Sequence, residues 1–96
     1  MALRLTPKQR ATLKARAHSL EPVVQVGQAG ASPALVTEVD RALMAHGLIK
    51  VKLAGADRDA REELTAMLCE RTGAVPVQNV GRVLVLWRPR PDDDPL

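Results

Sequence analysis

Pro22-Val23-Val24-Gln25-Val26-Gly27-Gln28-Ala29-Gly30-Ala31-Ser32-Pro33 sets the architecture of the whole chain. Three β-branched valines behind a proline favour extended backbone, with the proline tolerated at a strand's first position. Two glycines three apart then mark a tight loop. Ser32 followed by Pro33 supplies an N-cap and a first helical residue. A strand, a glycine bend and a helix start within twelve residues are the opening of a strand-helix-strand unit, so the chain is expected to be α/β.

Working outward, the helix begun at Pro33 is expected to run to about His46. Leu35, Val36, Val39, Ala42 and Leu43 recur at helical spacing, and Gly47 is a stop. Residues 48–54 alternate Ile49, Val51 and Leu53 with Lys50 and Lys52, which reads as a half-buried strand. A third helix follows from Asp57 or Asp59 to about Arg71. Asp59 with Glu62 offers a capping pair, Leu64, Met67 and Leu68 form the buried stripe, and Gly73 closes it. Residues 75–80 and 83–88 make a hairpin about Gly81-Arg82, whose second strand is apolar on both alternating faces and therefore needs cover on both sides. Upstream, Thr6-Pro7 with Gln9 begins a helix over residues 7–18 that shows only a thin apolar stripe and can supply part of that second cover. The expected order is α-β-α-β-α-β-β. Two strand-helix-strand units imply parallel pairing and the final hairpin an antiparallel one, giving a four-stranded mixed sheet in a single domain over residues 1–89. Residues 90–96 alternate proline with charge and read as a disordered acidic tail.

The chain has 96 residues and a net charge of +3, and its distribution says more than the sum. Arg4, Lys8, Arg10, Lys14 and Arg16 precede any acid, whereas Asp92, Asp93 and Asp94 lie in the tail, so the folded body is more basic than the whole. Such a body attracts polyanions in a salt-dependent way. The Gly27-Gln28-Ala29-Gly30 loop reads either as turn chemistry alone or as a surface that lets a sugar-phosphate backbone approach main-chain amides, the way a Gly-x-x-Gly loop clamps nucleotides in KH modules. Lys8, Arg10, Lys14, Arg16, Lys50, Lys52, Arg82 and Arg88 are the cations expected to flank it.

Enzyme chemistry finds little support. The loop lacks the third glycine of a dinucleotide fingerprint and the Gly-Lys-Ser/Thr of a nucleotide-binding loop. His18 and His46 sit at helix ends, where capping explains them. Cys69 is the only cysteine, so no internal disulfide is possible, and there is no Cys or His cluster at metal spacing. No catalytic residue, cofactor, metal or small-molecule substrate is expected. Apolar runs are short of the ~18 residues of a membrane span and no signal peptide is read, so a cytoplasmic monomer is expected. Trp87 is the only aromatic residue, which argues against a base-stacking platform of the RRM kind and favours recognition of backbone and shape. An acidic protein partner remains open, because Coulomb attraction does not name its target.

One combination of blocks is specific. Residues 13–18 (Leu-Lys-Ala-Arg-Ala-His), Pro22-Val23-Val24-x-Val26-Gly27-x-x-Gly30, Leu48-Ile49-Lys50-Val51-Lys52, Arg71-x-Gly73-Ala74 and residues 80–89 resemble the YhbY-type CRM domain over about residues 5–89. The resemblance implies an RNA-binding protein. It implies a fold like the C-terminal domain of translation initiation factor three, and association of stand-alone bacterial members with ribosomal RNA of the large-subunit precursor, hence a ribosome assembly factor. It places the family loop on Gly27 to Gly30. Here the loop interior, Gln28-Ala29, carries no charge, and Ala31-Ser32-Pro33 makes a firm helix start; both shift affinity onto the flanking cations.

Overall fold

The computed structural model describes residues 5–27, 32–53 and 57–89. Each helix begins at a side-chain cap. For α1 (Pro7–Ala17), Thr6 Oγ1 accepts from the Gln9 amide at 3.1 Å, and Gln9 Oε1 accepts from the Thr6 amide at 3.0 Å, a complete capping box. For α2 (Pro33–His46), Ser32 Oγ accepts from the Leu35 amide at 3.1 Å. For α3 (Arg58–Thr72), Asp57 Oδ1 accepts from the Ala60 amide at 2.8 Å. The expected Asp59–Glu62 capping pair does not form: Asp57 holds the cap, and Glu62 meets the Arg58 Nε at 3.4 Å one turn away. The strands are β1 (Pro22–Val26), β2 (Leu48–Leu53), β3 (Val75–Val80) and β4 (Val83–Trp87).

The sheet order is β1-β2-β4-β3. β1 and β2 pair in parallel, as the first crossover unit predicts. The second unit departs from expectation. β3 runs parallel to β2 but is not its neighbour, because β4 lies between them and is antiparallel to both. The two-residue turn holds β4 beside β3, and β4 is the strand whose Leu84, Val85 and Leu86 are all buried, so the central place with cover on both faces suits it. The turn follows the same logic. Gly81 has φ 57° and Arg82 does not have a positive φ, the pattern of a type II′ hairpin turn with glycine at its first central position.

Two apolar layers result. On one face Val24, Val26, Ile49, Val51, Leu53, Leu84 and Leu86 pack against Leu35, Val39 and Leu43 of α2 and Leu64 and Leu68 of α3. On the other, Leu48, Val77 and Val85 meet Leu13 and Ala17 of α1, with Leu5, Leu20 and Trp87 around them. One short helix shields only part of its face, and the uncovered part is where the candidate site lies.

Candidate nucleic-acid interface

Strand pairing defines the α1 side of the sheet as rows. Leu48, Trp87 and Val75 form the first and lie on the side α1 covers. Lys50 pairs with Val85, and Val85 with Gln78. In the next row Gln25, Lys52, Val83 and Val80 follow one another across β1, β2, β4 and β3. Gln25 and Lys52 are exposed, and Val80 keeps 56% of its surface in water. Lys50 and Lys52 are two residues apart on one strand, so their Cα atoms are about 6.6 Å apart on the same face.

Beyond the last row β1 ends at Val26, followed by Gly27, and the chain turns at Gly81-Arg82 before β4. The Leu53 amide donates to the Arg82 carbonyl at 2.7 Å, tying that turn to the end of β2. Gly27 is exposed, does not have a positive φ, and a Cβ placed on it would meet none of the described residues within 4 Å. Neither a positive φ nor packing against the described residues therefore requires glycine there. Gln28, Ala29 and Gly30 lie outside the described residues.

The sequence-predicted cations divide into groups. Lys50, Lys52 and Arg82 share the uncovered face and its rim with Gly27. Lys8 and Arg16 are exposed and Lys14 half-buried on α1, a helix without an acidic residue; Arg16 borders a cleft it shares with Glu21. Arg10 and Arg88 are committed elsewhere. Arg10 Nη1 donates to the carbonyls of Pro76 (2.9 Å) and Val77 (2.6 Å), where the register of edge strand β3 shifts. Arg88 corrects the expectation that all eight flank the loop. It follows the far end of β4, about 20 Å along the strand from Arg82. Its Nη1 donates to Asp40 Oδ1 (2.6 Å) and the Thr72 carbonyl (2.7 Å), and its Nη2 to the Asp40 carbonyl (3.2 Å). Among the described residues the ion pairs are Arg88–Asp40 and Arg58–Glu62, which leaves Lys50, Lys52 and Arg82 without an acidic partner there.

His18 and Gln78 were not among the candidates, yet both border a cleft of about 310 Å³ with Lys50, Val80, Val83 and Val85. The signal in the sequence was a polar residue inside a valine-rich strand, but strict alternation from Val77 assigns Gln78 to the wrong face. Cys69 is half-buried on α3, and burial pushes its thiol up, away from the thiolate a nucleophile requires. Among the described residues no group of three or more His, Cys, Asp or Glu is placed to hold a metal, and no helix is long and apolar enough to cross a membrane.

Comparison with known proteins fits this geometry into a family. The model of the CRS1/YhbY (CRM) domain matches residues 5–88. The chain belongs to that family. A Haemophilus influenzae protein named an RNA-binding protein is 44% identical over 85 residues, covering 88% of this chain and 86% of its own. A Pseudomonas aeruginosa protein, named a probable RNA-binding protein, is 39% identical over 87 residues, covering 91% and 84%. The solution structure of a Staphylococcus aureus protein, described as a candidate RNA-binding protein, superposes with a TM-score of 0.82 at 31% identity, covering 95% of both chains. The expected α/β arrangement of three helices and a four-stranded mixed sheet is thus shown.

Proposed function

We propose that this CRM domain binds RNA through the Gly27–Gly30 loop and the uncovered sheet face beside it, and that it serves as an assembly factor on ribosomal RNA of the large-subunit precursor. The observation that carries the reading is the company Gly27 keeps: an exposed backbone at the strand end, with Lys50, Lys52 and Arg82 unpaired among the described residues and no carboxylate in the cross-strand rows leading to it. Main-chain amides approach phosphates where no side chain intervenes, and the cations hold the polymer in place. Lys8, Lys14 and Arg16 on α1 extend the positive field. Arg10 and Arg88 contribute to the fold. Relatives named for RNA binding support the class of partner, and the family resemblance supports the ribosomal precursor.

The test is Gly27→Asp. A Cβ meets none of the described residues at this position, so the melting temperature is expected to stay at the wild-type value, while affinity for a large-subunit ribosomal RNA fragment falls about tenfold as a carboxylate enters the phosphate path. Unchanged affinity would count against the loop. Sedimentation of the tagged protein with free large subunits or their precursors is the expected cellular result. Partners recovered equally well after ribonuclease treatment would assign the basic face to an acidic protein instead.

A further inference from the structure

The cleft on the α1 side has a composition that bare phosphate binding does not call for. Its floor is aliphatic, made by Val83, Val85 and the largely exposed Val80. Its rim holds Lys50 and His18, and Gln78 stands across the sheet from Lys50 with Val85 between them. The Gln78 carboxamide makes no hydrogen bond to any described residue, and it is not sealed from water. Among the described residues no carboxylate lines the cleft. At about 310 Å³ it stands at the lower end of the ~300–1,000 Å³ typical of small-molecule sites, room for one planar ring system.

Resting on the RNA-binding reading above, we propose that this cleft seats one unstacked nucleobase of a single-stranded RNA, and that Gln78 reads its edge. An amide presents one acceptor and two donors side by side, the pattern that meets a base edge in a bidentate pair. The valines cover the face of the base, in the role aromatic side chains take in other single-strand binders. Lys50 takes the attached phosphate, and Lys52, one row nearer the rim, takes a neighbouring one on the way to Gly27. Charge selects the occupant: among the described residues two lysines without an acidic partner, a histidine and no acid suit a polyanion, and an apolar floor beside the Gln78 amide suits the base it carries. Backbone clamping at the loop and base reading in the cleft then act on successive nucleotides of one strand.

The experiment uses the full chain and three fluorescein-labelled octaribonucleotides, rA8, rC8 and rU8, with binding followed by anisotropy. Wild-type protein is expected to prefer one of the three by roughly fivefold or more, the discrimination a bidentate amide provides. Gln78→Leu, which keeps the side chain's size and removes no charge, should bring the three affinities to within about twofold while the salt dependence and melting temperature hold. Lys50→Ala should weaken all three alike and flatten the salt dependence. Equal wild-type affinities, or a preference that survives Gln78→Leu, overturn the cleft while leaving RNA binding at the loop intact. Failure to bind these oligonucleotides or any ribosomal RNA fragment overturns both. Displacement of the RNA by polyglutamate in a base-independent way that Gln78→Leu does not change overturns the cleft and assigns the face to acidic proteins.

Discussion

Arg88 carries the same charge as Lys52 and has a different role. Its guanidinium joins the end of β4 to the middle of α2 and the last turn of α3 through Asp40 and the Thr72 carbonyl. Removing it takes a donor from three part-buried acceptors, Asp40 Oδ1 and the Asp40 and Thr72 carbonyls, so Arg88→Ala is expected to cost about 2 kcal/mol and lower the melting temperature by roughly 10 °C. The RNA affinity of the protein that remains folded should be unchanged. Calorimetry and anisotropy on the same sample check both halves, and a stable variant with weakened binding would return Arg88 to the interface. The arginine's type is plain in the sequence but its partner is not, because Asp40 lies 48 residues away and pairs through the tertiary fold. Gly27 shows the converse: its openness to solvent is visible only once the backbone direction at the end of β1 is known.

Elements with local determinants were legible. Thr6, Ser32 and Asp57 each accept a hydrogen bond from an amide three residues on, so helix starts are written within four residues of sequence. The sequence leaves the third start open between Asp57 and Asp59, because two acids two residues apart compete for one cap; the fold gives it to Asp57, with Leu64 and Leu68 buried. Strand β3 was legible only in part. Its register shift between Pro76 and Gln78 brings Gln78 to the cleft on the same side as Val77, breaking the alternation on which a strand reading relies. Helix α1 is attached by little: Leu13 and Ala17 are its buried residues, together with the Arg10 bonds to β3. Leu13→Ala is expected to cost about 3 kcal/mol. Hydrogen exchange should show α1 and the Val77 amide opening ahead of the α2–α3 layer. Uniform loss of protection across both layers would show instead that the two cores unfold as one.

At the scale of the molecule, an uneven division of labour makes the interface. Two helices seal one face of the sheet and one helix half-seals the other, so the lysines of β2 reach water beside apolar side chains. Binding should therefore depend steeply on salt, with log affinity falling against log salt by about 0.7 per contacted phosphate for a single strand. Lys52→Ala should reduce that slope by about 0.7, and Arg88→Ala should leave it alone. A slope insensitive to Lys52 would remove this row from the RNA path. The composition, the caps and the two periodicities determined the α/β class, the seven elements and their order, because hydrogen bonds over three or four residues and side-chain alternation act within a segment. Strand order, the register shift in β3 and the division of eight cations into structural and unpaired ones were decided by the tertiary structure. Pairing partners are chosen by which apolar faces can be buried together, and that choice is made between segments far apart in the chain.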